Sequence, residues 1–569
     1  MLIKKARTHI LVIFLLMITS CIMSYAFLRT GLIETEGDWL FHASRVEEIY
    51  SNLQSGTWLT FISTHTMQKT GVGSFLFYPV VFLYPWAILK LLLNPIVAYY
   101  IWYGIFNFLT FVISYYCMFF FSKNVYRSFV FSMLYTLLPY RLYLGHSVLG
   151  EFIATTFVPL AFLGIYEVLW NDKKRWYILS VGMTLLVYSH LLSAFMTCEI
   201  MAIMLVIWLF NREKDYSRLI YLVISAIITI LLALPIILPF LTDYIGTNIG
   251  AAYPGINPYN MSDFWMNSIS NTATNTSIGI VLIVTVLFGW YWIKDRKLEF
   301  HIYLLGLLCL VCATSVFPWW SLRNTILGVI QLPYRYTTYV GLFISVSASY
   351  LLVIFFVKYF KKYNFSFFIL GIMMIGIGGF FGSVTNFSKF VETINANGTT
   401  YLKRSTSKDV QNLPDRSQVD KNNYKYQFEY AANPGETDYY PKVSQVFNNQ
   451  ANANSIINNI GYIGDKSVKL SPISKPNELV FKIDSNSKTI LDLPIVAYRN
   501  TEVYVNGLKQ EYSFSDRGTP KIKLNIGKNN IKVKYIPSKL YYFGIFVTMG
   551  VWLVLVLYIV YSKVKSRRV

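Results

Sequence analysis

The sequence predicts a polytopic α-helical membrane protein, with about twelve transmembrane helices and an extracytoplasmic β-sandwich-like domain. Three observations lead there. The chain of 569 residues is 54% hydrophobic and only 14% charged, a balance suited to lipid rather than water as solvent. Long apolar runs recur, and basic clusters sit in the short loops between them and at the tail. One long polar stretch, 388–538, interrupts the pattern and ends in period-two alternation.

The basic clusters order the spans. They are Lys4, Lys5 and Arg7; Lys123 and Arg127; Lys173, Lys174 and Arg175; Arg212 and Lys214; Lys294, Arg296 and Lys297; Lys358, Lys361 and Lys362; and Lys563, Lys565, Arg567 and Arg568. Placing each inside predicts crossings near 10–28, 97–121, 128–144, 152–170, 176–191, 194–210, 219–240, 277–294, 300–317, 336–357, 367–387 and 539–561, with both termini cytoplasmic. The first run follows a basic start but lacks a small-residue cleavage site, so it reads as a retained anchor. Residues 74–94 are apolar yet carry Pro79 and Pro85, and counting them as a crossing would put Lys123 and Arg127 outside; they read as re-entrant or interfacial. Aromatic residues, 17% of the chain, flank many runs, as expected in a bilayer. The net charge of +21 by itself suggests a nucleic-acid partner, but the placement of most basic clusters in short loops between spans and at the tail argues against one.

The predicted organisation is a multi-spanning domain at 1–387 with a first outer loop at 29–73, a β-rich domain at 388–538, and a final helix with a basic tail at 539–569. The strands of the β-rich domain are read from ELVFKI, EVYVNG, KIKLNI and NNIKVKY, with Asn506-Gly507 as a hairpin turn and a bend at Arg517-Gly518. Cys21, Cys117, Cys198, Cys309 and Cys312 all lie in apolar runs, so the polar domain folds without disulfides. Cys309 and Cys312 lack the second pair that a metal motif needs.

The outer face collects polar groups. Asp38, His42 and Arg45 are spaced to share one face of a helix at 39–53, opposite the mostly apolar stripe of Leu40, Ala43, Val46, Tyr50 and Leu53. Asp38 reads either as a general base or as the N-cap of that helix, and the two are compatible. Glu34 and Glu36 read as loop-solvating groups; a divalent cation is a candidate cofactor only if several oxygens converge. Arg141 and Arg335 share a Pro-Tyr-Arg setting, suited to phosphate capture or to snorkelling at lipid headgroups. Glu151, at the start of a span, pairs with Arg141 or meets a sugar. His146 and His190 read as core histidines or substrate contacts, and Gln331 sits in the same outer loop as Arg335. Neither H-E-x-x-H, a P-loop nor a dinucleotide fingerprint is present, which argues against metalloprotease, nucleotide-hydrolysing and redox chemistry.

The ordered series GDWLFHASRVEEI, FYPVVF, PYRLYLGHSVLGE, YSHLLS and QLPYRY resembles the bacterial membrane proteins called 6-pyruvoyl-tetrahydropterin synthase-related, which are close to the YfhO-like proteins. ETDYYP at 436–441 and VYVNG resemble the outer part of the same proteins. The first family's name implies no pterin chemistry here, and both families are similar to GT-C glycosyltransferases. The resemblance implies a bacterial plasma-membrane protein with its active face outside, a polyprenyl-phosphate-linked sugar as donor, and an envelope polymer such as teichoic acid as acceptor. It implies that Asp38 is the first-loop acid and Arg335 the arginine of a Q-x-P-x-R element. His146 stands where related sequences have arginine, and a single Asp replaces an Asp pair, which leaves metal dependence open. The expected activity is inverting glycosyl transfer with Asp38 as base. Arg335, with Arg141, would hold the leaving phosphate, and His42, Arg45, Glu151, His146, His190 and Gln331 would line the substrate site. The rival readings are a transporter or flippase of lipid-linked sugars, and an assembly scaffold for envelope polymer.

Overall fold

A computed structural model describes residues 2–210, 215–245, 247–250, 255–360, 365–396, 402–403, 418–428, 431–432 and 434–568. Among these, seven helices are long and apolar enough to cross a membrane, or eight if one bent pair counts as a crossing. The seven are Arg7–Leu28, Pro95–Ser122, Leu149–Trp170, Leu191–Leu209, Pro333–Tyr359, Ser366–Ser388 and Lys539–Ser562. They are consistent with a membrane protein.

The other expected crossings are short or broken. The run at 128–144 divides into Val125–Thr136 and Pro139–Gly145, because Pro139 has no amide N–H and drives Leu138 to extended backbone. The run at 219–240 bends by 63° between Ser217–Leu232 and Leu234–Tyr244, where Pro235 opens the second helix. Trp176–Ser189 and Ile280–Ile293 have 14 residues each, and Lys297–Cys312 has 16. At 1.5 Å per residue the two shorter ones rise only about 21 Å, less than a hydrocarbon core of about 30 Å. Residues 74–94 form three short helices, Ser74–Phe77, Val81–Leu83 and Tyr84–Lys90.

The chain forms two compact units, each made of separated segments. The first comprises Met1–Glu36, Tyr99–Ala226 and Gly255–Asn397; the second comprises Gly37–Ala98, Ile227–Pro254 and Gly398–Val569. In the first, Leu149–Trp170 packs tightly on Trp176–Ser189. A Cβ on Gly164 would lie 2.4 Å from the Leu179 backbone, and one on Gly182 would lie 2.7 Å from the Ala161 backbone. Small residues let these two helix backbones approach.

The second unit holds the β-domain. Its ten strands are β1 Ile460–Ile463, β2 Lys466–Lys469, β3 Ile473–Lys475, β4 Glu478–Ser485, β5 Thr489–Asp492, β6 Thr501–Val505, β7 Leu508–Gln510, β8 Ser513–Phe514, β9 Pro520–Leu524 and β10 Gly527–Tyr535. They form two antiparallel sheets, ordered β7-β6-β10-β4-β3 and β8-β9-β5-β1-β2. Phe481, Val503 and Ile531 of the first sheet share a buried core with Leu491, Ile522 and Leu524 of the second, which makes the pair a sandwich. Val505 pairs with Leu508 across Asn506-Gly507, both at positive φ, as a two-residue hairpin demands.

Within the same unit the segment 59–73 lies along the sandwich. Asn477 accepts from the Phe61 amide at 2.7 Å and donates to the Leu59 carbonyl at 2.7 Å. Val496 N–H donates to the Thr70 carbonyl at 2.8 Å, and the Tyr498 hydroxyl accepts from Gly73 N–H at 2.8 Å. Phe61, Ile62, Met67 and Val72 share a core with Tyr440, Val496, Tyr498 and Tyr535.

Candidate functional site

Each unit carries one polar cluster. In the first unit the two Pro-Tyr-Arg motifs meet: the Tyr140 and Tyr334 rings pack edge to face, 6.3 Å between centroids. Proline begins a short helix in each, so the Tyr and Arg that follow project from a fixed first turn. Their arginines then diverge. Arg141 is buried and turned inward, donating to Thr155 at 3.0 Å, to Thr110 at 2.7 Å and to Asn107, with its guanidinium 4.3 Å from the Phe152 ring centroid. Arg335 donates to the Ile330 carbonyl at 2.8 Å and sits 3.8 Å from the Glu151 carboxylate.

Glu151 therefore pairs with Arg335 rather than with Arg141, correcting the sequence expectation. Its carboxylate also accepts from the Tyr140 hydroxyl at 2.7 Å and from Thr338 at 3.0 Å. The correction is geometric. Both residues lie at the starts of helices, but Thr110, Thr155 and Asn107 take up the Arg141 donors first. His190 bonds Ser193 at 2.8 Å and is an electrostatic neighbour of Arg335. Gln331 has φ +57° and ψ −49°, a strained backbone for a non-glycine residue, and its carbonyl accepts from Asn257 N–H at 2.8 Å.

His146 lies among Phe27, Tyr103 and Phe387 at centroid distances of 4.4, 5.5 and 5.2 Å. Burial pulls its imidazole down to about 4, so it is neutral at physiological pH. Its carbonyl accepts from Glu36 N–H at 2.9 Å, and the Glu36 side chain hydrogen-bonds Tyr143. Glu34 accepts from Ser388 at 2.8 Å. Neither glutamate merely solvates its loop, as the sequence suggested.

The second unit holds the other cluster, at the start of the helix Trp39–Gln54. The expected division into a polar and an apolar face is not what forms. Trp39, Leu40, Phe41, His42, Ala43, Ser44, Arg45 and Val46 are all buried, so the N-terminal half is enclosed all round. Arg45 is an internal strut. It donates to the carbonyls of Tyr78 at 2.6 Å and Pro79 at 2.9 Å and stacks on the Tyr78 ring at 4.7 Å. Burial pulls its guanidinium down to about 10, which still leaves it charged. His42 stands edge-on to Tyr78, 5.3 Å between centroids.

Asp38 occupies the N-cap position but its side chain makes no capping hydrogen bond, and it is exposed. Its charge acts on Asp438, a half-buried carboxylate in the ETDYYP stretch. Burial pushes the Asp438 carboxyl well above the ordinary carboxylate range, and the Asp38 charge pushes it further. Tyr439 is raised by burial and by Asp438, against the opposing pull of Arg45. This acidic pair, about 400 residues apart in sequence, was not legible as a pair; only the conspicuous Asp-Tyr-Tyr-Pro pointed to that segment.

Two further carboxylates hold the second unit together. Glu48 accepts from the amides of His65 at 2.7 Å and Thr66 at 2.8 Å and from Thr64 Oγ1 at 2.9 Å. It braces a loop in which Met67, Gln68 and Lys69 all have positive φ. Asp243 is buried and accepts from Asn500 Nδ2 at 2.9 Å and the Tyr535 hydroxyl at 3.0 Å. Among the described residues no group of three or more His, Cys, Asp or Glu side chains is arranged to hold a metal ion. No protein-family model matches this chain, and no curated protein matches it.

Proposed function

We propose that the protein is a membrane glycosyltransferase of GT-C type with about twelve transmembrane helices, moving a sugar from a polyprenyl-phosphate donor to an extracytoplasmic envelope polymer. The observation that carries the reading is the pairing of an exposed Asp38 with Asp438. Burial and the Asp38 charge both push the Asp438 carboxyl up, and the exposed Asp38 is the member of the two that an acceptor can reach. Asp38 then takes the proton from the acceptor hydroxyl. That oxygen attacks the anomeric carbon, the bond to phosphate breaks, and the configuration inverts. Arg335 is the phosphate-binding residue of this reading; Arg141, committed to Asn107, Thr110 and Thr155, is not.

The test is transfer by purified protein from a polyprenyl-phosphate sugar. Asp38→Asn and Arg335→Ala are each expected to reduce turnover at least a hundredfold. Near-normal turnover in either removes that residue from the mechanism. A transporter of lipid-linked sugars is the second reading. Glu199, in the interior of Leu191–Leu209, favours it.

A further inference from the structure

The second sheet of the sandwich has an outward face that is not an ordinary solvated surface. Ser467, Tyr462, Asp492, Lys521 and Ser513 pair directly across all five strands, so they form one row on one face. Their neighbours Leu491 and Ile522 point into the core, so the row points away from it. Yet Asp492 in the middle of the row is buried. Arg517 covers it, donating to its carboxylate at 2.8 Å and to Ser455 and the Ile460 carbonyl at 2.9 Å each. Thr519 donates to the other carboxylate oxygen. The guanidinium also lies 4.7 Å from the Tyr462 ring centroid.

This pair is the floor of an open groove of about 510 Å³. Tyr462 and the exposed Ile490 give it apolar faces, and Asp465, Asp516 and Lys521 give it a polar rim. The floor is pre-organised, because each guanidinium nitrogen of Arg517 and both carboxylate oxygens of Asp492 are bonded to the protein. Three carboxylates stand against two cations in the lining, so a polyphosphate chain is disfavoured. A ligand that matches needs a C–H face for the ring and the isoleucine and hydroxyls for the rim.

We propose that this groove binds an uncharged glycan chain. It rests on the transferase reading only for its purpose, which is to hold the acceptor. The test places a photoreactive benzophenone amino acid at position Asp516 of the full-length protein in producing cells, with position Leu508 on the other sheet as control. Irradiation is expected to give a periodate-sensitive glycan adduct at 516, severalfold above that at 508. Ile490→Lys, at an exposed site that leaves the fold intact, is expected to abolish it, as is Tyr462→Ala. No adduct at 516, equal adducts at both positions, or an adduct that is protein or lipid overturns the proposal. The same cells separate the two ideas. An adduct with decoration unchanged in Asp38→Asn overturns the transferase and leaves the groove; decoration lost in Asp38→Asn with no adduct overturns the groove alone.

Discussion

Glu48→Ala should loosen the second unit more than any exposed change. The side chain satisfies two buried backbone amides, His65 and Thr66, together with the Thr64 hydroxyl. An amide left unpaired out of water costs about 1–3 kcal/mol. The half-exposed His65 ring regains water, and Thr64 keeps its bond to the Lys475 carbonyl, so the two amides dominate. The expected loss is about 3 kcal/mol. Glu48→Gln, which keeps one acceptor oxygen, should lose about half of that. The readouts are thermal unfolding of the purified protein and hydrogen exchange at residues 64–70, the loop that receives Val496 at Thr70. The sign with pH follows from the titration of Glu48. Burial raises its pKa, but the bonds from His65 and the Thr64 and Thr66 backbone outweigh that and hold it below the ordinary 4.5. Its contribution is therefore full at neutral pH and is lost as pH falls through that lowered value. A Glu48→Ala protein within about 0.5 kcal/mol of wild type would mean that Glu48 does not hold this loop in place.

Asp438 works the opposite way. Its raised pKa means the folded state resists ionisation, so its contribution is best below the ordinary 3.8 and is lost as pH rises through the raised value. Asp438→Asn should raise the unfolding temperature at pH 7 while lowering sugar transfer, measured side by side. Arg45→Met leaves the Tyr78 and Pro79 carbonyls without their donor and should cost about 2–4 kcal/mol in thermal unfolding, a stability effect rather than a loss of substrate affinity. A double-mutant cycle of Glu151→Gln and Arg335→Met should show a coupling of about 1 kcal/mol or more in thermal unfolding, while the same cycle with Arg141 in place of Arg335 should show additivity.

Local signals made much of this fold legible. Period-two runs and Asn506-Gly507 marked the sandwich, because strand alternation and turn chemistry are written within a few residues. The presence of long apolar helices was equally plain, but their continuity was not. Pro139 and Pro235 break runs whose hydropathy is continuous, and hydropathy counts side chains while a helix depends on backbone donors. The helix at 39–54 misled for a related reason. Its spacing is amphipathic, but residues 75–79 enclose the polar side and Arg45 answers their carbonyls. Partners remote in sequence stayed hidden: Glu151 with Arg335, Asp38 with Asp438, and Asp243 with Asn500 and Tyr535. Side-chain chemistry suggested that each needed a partner, and only the tertiary fold chose which one.

If Asp38 is the base of a sugar transfer, the sugar content of envelope polymers purified from cells carrying wild-type protein or Asp38→Asn, at matched membrane levels, will show it. One sugar is expected to disappear in the variant, with the rest of the polymer unchanged. Decoration identical to wild type would leave Asp38 a residue at a helix start with no part in chemistry.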